Sequence, residues 1–143
     1  MLRHLPDAKV LLHALRVESP ARAPCRAWLE TLARTGAELL LTEVNELTLL
    51  RIGTHPRHGV APRPIFLDYW QSLLAYPRAR RIAPGDTHAA TLRRFAESLD
   101  LQGNDLNDAW LAALAIEHSA ILISTDESFK RFPGLIWQNP TRP

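Results

Sequence analysis

The sequence predicts an α/β fold in which a mainly parallel sheet is covered by helices on both faces. Short apolar strands alternate with helical segments along the chain, which is the order typical of such sheets. Hydrophobic residues make up 46% of the sequence, so a folded core is expected. The length of 143 residues suits one domain, and no repeat or linker divides it. We therefore predict a single domain over residues 1–143.

The first part of the chain is predicted to hold two strands and three helices. The apolar spacing from Val10 to Leu15 follows the helical period. Gly36 is a typical helix stop, and Thr42 is a typical helix N-cap. In order, the predicted elements are a strand at about 2–6, a helix at about 8–16, a helix over 19–36 that starts near Ser19 or Pro20, a buried strand at about 38–41 and a helix over 42–54.

A proline-rich loop over 55–64 separates these elements from the rest, because proline and the residue before it disfavour helix. Asp86 is expected to cap a helix, and Gly103 is expected just past the end of that helix. The elements predicted after the loop are a helix over 64–77, a short strand over 78–83, helices over 86–103 and 104–119, a strand over 120–125 and a last short strand at 135–137.

Composition narrows the classes of protein. No apolar run approaches the roughly 20 residues that span a bilayer, and the N-terminus lacks the pattern of a signal peptide. The single cysteine, Cys25, excludes an internal disulfide and fits a reducing cytosol, so a cytoplasmic protein with a structural Cys25 is expected. The tryptophans Trp28, Trp70 and Trp110 are predicted in the core, and the histidines His88 and His118 on the surface.

Acidic residues follow the predicted strands. Asp7 follows the first strand, Glu43 the second, and Asp126 the strand over 120–125. Asp105 and Asp108 lie three apart in the first turns of a crossover helix, which starts at the same edge of a parallel sheet. Two such charges about 4 Å apart repel by roughly 4 kcal/mol at an effective dielectric constant of 20. A hard cation such as Mg²⁺ or Mn²⁺ removes this repulsion, whereas zinc would require His or Cys ligands.

Each acid also has a purely structural interpretation. Glu43 and Asp105 suit the positive end of a helix dipole, and Asp126 suits a turn. The basic residues are similarly ambiguous: of the 17, all but Lys9 and Lys130 are arginine, a residue that binds phosphate in a bidentate manner. The clusters around Arg51 and Arg57 and over 78–81 therefore indicate either phosphate contacts or a solvated face, and charge alone does not decide.

Four blocks together resemble the PIN-domain ribonucleases, and within them the VapC-type toxins of toxin–antitoxin pairs. The resemblance covers nearly the whole chain. The first block is similar to the family's Asp-x-Asn-Val-Leu-Leu, and the last to its Ser/Thr-x-Asp-x-x-Phe-x-Arg-Phe-Pro-Gly-Leu-x-Trp. The blocks are Asp7 to Leu12, Thr42-Glu43 with Leu50 to Ile52 and Thr54 to Arg57, Gly103 to Ala113, and Ser124 to Trp137.

This resemblance implies a three-layer α/β/α fold and metal-dependent RNA cleavage, with Mg²⁺ or Mn²⁺ as cofactor. Asp7 and Asp108 would be the principal metal ligands, Glu43 and Asp126 would complete the acidic site, and Asp105 would assist. Ser124 would support the acids through a hydrogen bond. A metal-activated water would hydrolyse the phosphodiester bond of an RNA substrate. The resemblance also implies a homodimer and a cognate VapB-like antitoxin.

Two arginines and one lysine complete the predicted site. Arg51 and Arg57 are candidates to hold flanking RNA phosphates, although Arg51 could equally cap the end of its own helix. Lys9 stands where the family has asparagine. Its ammonium would either pair with Asp7 or Glu43 and compete with the metal, or extend into solvent with little effect. The alternative function is therefore a catalytically weakened PIN-like module that binds RNA or a protein partner without cutting.

Overall fold

A five-stranded parallel sheet lies at the centre of the computed structural model, which describes residues 2–142. The strand order is β3-β2-β1-β4-β5, and each neighbouring pair is parallel. The strands are β1 (Arg3–Pro6), β2 (Glu38–Leu41), β3 (Ala79–Arg81), β4 (Ile121–Ile123) and β5 (Ile136–Gln138). Because β1 lies between β2 and β4, the residues that follow these three strands meet at one edge.

Helices cover the two faces of this sheet. They are α1 (Ala8–Leu15), α2 (Arg22–Thr35), α3 (Glu43–Gly53), α4 (Arg63–Leu74), α5 (His88–Ser98) and α6 (Asp105–Glu117), followed by a short 3₁₀ helix (Glu127–Arg131). The 3₁₀ helix is absent from the sequence-based expectation. No helix within residues 2–142 is both long enough and apolar enough to cross a membrane.

Successive side chains along each strand point to opposite faces of the sheet and pack into two separate hydrophobic cores. Leu39, Leu41 and Ile123 pack with α1 to α4 on one face, whereas Leu40 and Leu122 pack with α5 and α6 on the other. This alternation is the period-two geometry of a strand. The three-layer α/β/α prediction is therefore confirmed.

Local signals predicted some helix ends correctly and others wrongly. Thr42 caps α3, since its hydroxyl accepts a hydrogen bond from the backbone N–H of Asn45 at 2.9 Å. Gly36 ends α2 in the left-handed conformation, with φ of 73°. The placement of Gly103 just past the end of α5 is wrong: that helix ends at Ser98, and Asp100 takes the left-handed turn after it.

The predicted N-cap role of Asp86 is also wrong. The carboxylate of Glu117, at the end of α6, accepts from the backbone N–H groups of Gly85, Thr87 and His88 at 2.7, 2.9 and 3.0 Å. The hydrogen bond from Gly85 above all, with those from Thr87 and His88, lowers the pKa of Glu117 to about 2, although burial acts in the opposite direction. A residue from α6 thus caps the start of α5.

The aromatic predictions are confirmed only in part. Trp70 is fully buried, while Trp28 and Trp110 are half-buried. The surface prediction for His88 is wrong: this side chain is buried, with its Nε2 atom 2.9 Å from the carbonyl oxygen of Trp110. His118 is half-exposed.

Candidate acidic site

Asp7 sits at the junction of β1 and α1 and is almost inaccessible, with 8% of its surface exposed. One carboxylate oxygen accepts from the backbone N–H of Val10 at 3.0 Å, which makes Asp7 the N-cap of α1. The other accepts a short hydrogen bond from the hydroxyl of Ser124. Burial raises the pKa of Asp7, although both hydrogen bonds and the charge of Lys9 act in the opposite direction.

Ser124 links two of the acids. It is fully buried just after β4, and its Oγ also accepts from the backbone N–H of Asp126 at 3.0 Å. Its carbonyl oxygen accepts from the indole N–H of Trp137 at 3.0 Å, so the residue is held from several sides. These contacts agree with the supporting role expected for Ser124.

Asp126 combines the structural and the site interpretations. It caps the 3₁₀ helix by accepting from the backbone N–H of Ser128 at 2.9 Å. Burial raises the pKa of Asp126, but the hydrogen bonds from Ser128 and the charges of Lys9 and Arg131 bring the pKa below its usual value. Asp126 is therefore held in its ionised form.

Asp108 is the acid whose pKa responds to the charges of the other acids. Its side chain is 28% exposed in the first turn of α6. Burial raises the pKa of Asp108, and the negative charges of Asp126, Asp105 and Asp7 raise it further, against the charge of Arg131. Four of the five predicted acids are thus close enough to interact electrostatically.

Arg131, which was not singled out as a site residue from the sequence, lies against two of these acids. Its Nη2 atom is 3.2 Å from Oδ2 of Asp108 and 3.4 Å from Oδ1 of Asp105. Its Nε atom is buried and has no hydrogen-bond partner within residues 2–142. The only sequence feature that could have indicated a site role for Arg131 is its place in the last block, five residues after Asp126. Its contact with α6 depends on the 3₁₀ helix, which the sequence did not predict.

Glu43 lies at the same edge of the sheet but is less closely involved. It is the exposed first residue of α3, and in the described part of the chain its carboxylate makes no hydrogen bond or ion pair, so nothing links it to the other acids. The neighbouring Asn45, also missed from the sequence, is buried and donates its amide N–H to the carbonyl oxygen of Pro6 at 2.6 Å. Asn45 thereby ties the start of α3 to the residue before Asp7.

The basic candidates are solvent-facing. Lys9 is exposed and, among the described residues, its ammonium makes no hydrogen bond or ion pair; the charge of Lys9 and its backbone N–H nevertheless lower the pKa of Asp7, and the charge also lowers that of Asp126. The side chains of Arg51 and Arg57 are also exposed and make no hydrogen bond in that part of the chain. The direct pairing considered for Lys9 is thus not found, and neither is a helix-capping hydrogen bond from Arg51.

Cys25 takes no part in this chemistry as a nucleophile. Its side chain is fully buried, and burial together with the charge of Asp7 raises its pKa to about 11. The structural role predicted for this cysteine agrees with that environment.

Comparison with known proteins places this arrangement in a family. The sequence model of the PIN domain matches residues 5–135. The chain is 37% identical over 137 residues to the ribonuclease VapC43 of Mycobacterium tuberculosis, which covers 94% of this chain and 92% of that protein. The chain belongs to the PIN-domain family, among its VapC proteins.

Solved structures show the same fold for this PIN domain. VapBC-1 of nontypeable Haemophilus influenzae matches with a TM-score of 0.73 and 17% identity, covering 99% of this chain and all of that one. A toxin–antitoxin complex from Klebsiella pneumoniae matches with a TM-score of 0.62 and 17% identity, covering 96% and 97% of the two chains. At these identities the likeness concerns the fold alone.

The donor atoms of this PIN domain suit a hard divalent cation. The carboxylates of Asp7, Asp108 and Asp126 lie at one edge of the sheet. Their mutual repulsion favours a cation at that edge. Within residues 2–142, no three acid, histidine or cysteine side chains are gathered closely enough to form a ready metal cage. Mg²⁺ requires only one or two carboxylates together with water and substrate oxygens, so this open donor set still fits.

Proposed function

We propose that this PIN domain is a divalent-metal-dependent endoribonuclease and the toxin component of a type II toxin–antitoxin pair of the VapBC kind. The observation that carries the proposal is the electrostatic coupling of Asp108 to Asp7, Asp105 and Asp126 at the carboxyl edge of the sheet. The name of VapC43, a ribonuclease, supports RNA as the substrate.

Asp7 and Asp108 would hold Mg²⁺ or Mn²⁺, with Glu43, Asp105 and Asp126 as secondary ligands. When bound, the ion supplies Lewis-acid chemistry: it polarises a phosphoryl oxygen and lowers the pKa of water. Carboxylates must be ionised to bind metal. The raised pKa values of Asp7 and Asp108 therefore imply that metal affinity increases with pH.

The remaining residues orient the reactants. Ser124 fixes the carboxylate of Asp7 and the backbone of Asp126, so these two acids keep a defined relative position. Arg51 and Arg57 have free guanidinium groups that suit the RNA phosphates flanking the scissile bond. Hydrolysis joins a water oxygen to phosphorus and breaks the bond to the 3′ oxygen, which takes a proton. The products would carry a 5′ phosphate and a 3′ hydroxyl.

A VapB-like antitoxin and a second copy of the chain are the proposed protein partners. The toxin–antitoxin complex from Klebsiella pneumoniae has the same fold. Among the described residues, four large apolar side chains are exposed on α3 and α4: Val44, Leu47, Ile65 and Leu67. Exposed apolar side chains gathered on two adjacent helices favour protein contacts.

The alternative function is a weakened PIN-like module that binds RNA or a protein partner without cutting. The observation that favours it is the exposed ammonium of Lys9, which interacts with the charges of Asp7 and Asp126 that a metal would also use. RNA binding is compatible with both functions, so cleavage is the property that distinguishes them.

The test is cleavage of a panel of structured RNAs, including tRNA and ribosomal RNA fragments, with Mg²⁺ or Mn²⁺ and with the ends of the products mapped. We expect Asp7→Asn and Asp108→Asn to abolish cleavage. Asp68→Asn is the matched control, because Asp68 is an exposed aspartate on α4. RNA binding without cleavage under either metal would instead support the weakened module. Cleavage that persists in both site variants would contradict the proposed metal ligands.

A further inference from the structure

Arg131 is the last residue of the 3₁₀ helix, and its side chain lies against the start of α6, where a bound cation would balance the acids. One nitrogen, Nη2, contacts both Asp108 and Asp105. The single positive charge of Arg131 is therefore shared between two carboxylates that lie three residues apart on one face of α6.

The setting of Arg131 is different from that of an ordinary surface ion pair. Its side chain is 28% exposed, as is that of Asp108, and its guanidinium lies 5.0 Å from the ring centre of the buried Phe132. The Nε atom is buried without a hydrogen-bond partner among the described residues. The guanidinium thus contacts the acids through Nη2, and its buried Nε donor takes no part in the pairing.

From this geometry we infer that Arg131 is the internal counter-ion of the acidic site and competes with a metal ion for Asp108. Nη2 donates to Oδ2 of Asp108 at 3.2 Å, so the positive charge of the guanidinium lies close to any cation that the same carboxylate binds and repels that cation. Arg131 is a positioning residue that opposes metal binding. This inference rests on the proposed metal-dependent function.

Two consequences follow, and they have opposite signs. Removing the guanidinium leaves the acids unbalanced when no metal is bound, which destabilises the protein. The same change removes a competitor of the metal, which tightens metal binding. A residue that merely shaped the site would weaken metal binding when removed, so the sign of the change in affinity distinguishes the two roles.

The test compares Arg131→Met with Lys130→Met, which removes the same charge from the neighbouring residue. Lys130 is 65% exposed and pairs with Glu127, away from Asp105 and Asp108. Mn²⁺ affinity is measured by calorimetry on the full chain. We expect Arg131→Met to bind Mn²⁺ about two- to fivefold more tightly than the wild type, as for the loss of one competing, partly exposed ion pair. Lys130→Met should bind within about 1.5-fold of the wild type.

Thermal melts in chelator provide a second measurement that needs no metal. Arg131→Met should lower the melting temperature by about 2 °C in the wild-type background and by less in an Asp108→Asn background. An equal loss in both backgrounds would overturn the counter-ion role. Unchanged or weaker Mn²⁺ binding by Arg131→Met, with normal binding by the wild type, would overturn the inference alone. Absence of Mn²⁺ binding in the wild type would overturn the proposed metal site and the competition by Arg131 together.

Discussion

Ser124→Ala probes the hydrogen bonds that hold the acidic site. The substitution removes the hydroxyl that donates to the carboxylate of Asp7 and accepts from the backbone N–H of Asp126. Both Ser124 and Asp7 are buried, so water does not replace the lost partner. A hydrogen bond to a charged group contributes about 1.5–3 kcal/mol. We expect a loss of about 2 kcal/mol, which corresponds to a fall in melting temperature of about 7 °C for a chain of this size.

The pH dependence of this loss shows whether Ser124 stabilises the ionised form of Asp7. The folded-state pKa of Asp7 is raised above its unfolded value, so stability is lost as pH rises through the folded pKa. Without Ser124 the ionised carboxylate loses a donor, and the pKa of Asp7 rises further. When Asp7 is protonated in both proteins, the variant should therefore show only the loss that comes from the Asp126 N–H, and it should fall further behind the wild type as the pH increases.

The assay is thermal unfolding from pH 4 to pH 8 in chelator, with Ser72→Ala as the control. Ser72 is exposed, and its hydroxyl donates to the carbonyl oxygen of Tyr69 within its own helix. A loss of stability that is independent of pH, or no greater than that of Ser72→Ala, would refute the argument that Ser124 stabilises ionised Asp7.

Three further substitutions test separate parts of the structure. Asp108→Asn should raise the melting temperature in chelator at pH 7 by about 2 °C, because its pKa is raised by burial and by neighbouring acids; the gain should vanish at acid pH, where Asp108 is protonated. Glu117→Gln should lower the melting temperature at pH 7, and the difference should shrink as the pH falls from 4.5 towards about 2, the folded pKa of that carboxyl. Lys9→Asn should tighten Mn²⁺ binding about two- to fivefold by calorimetry, and equal affinities would show that the lysine is simply solvated.

The fold was predictable because its signals are local and periodic. Apolar runs such as residues 38–41 and 121–123 identify strands, and the alternation of strands with helices implies a parallel sheet. The rule that parallel strands end at one edge then brought Asp7, Asp108 and Asp126 together without any knowledge of side-chain contacts. These acids interact electrostatically in the structure.

The contacts that were missed depend on packing between distant elements. Asp86 precedes α5 and satisfies the local rule for a cap, yet Glu117 caps this helix across about thirty residues of sequence. No local pattern indicates that α6 ends where three backbone N–H groups of another helix converge. Arg131 and Asn45 were missed for the same reason, since each acts on an element remote in sequence.

Asp7 shows that structural and functional interpretations of one acid need not compete. Its carboxylate caps α1, and burial raises its pKa, which costs stability at neutral pH. Asparagine is about as good an N-cap as aspartate, whereas alanine forfeits about 1 kcal/mol. Asp7→Asn therefore retains the cap and removes the charge, and the oxygen that accepts from Ser124 becomes an amide N–H group that can donate to Oγ of Ser124. Loss of metal binding in a variant that remains as stable as the wild type would be attributable to the carboxylate itself, a separation that Asp7→Ala cannot provide.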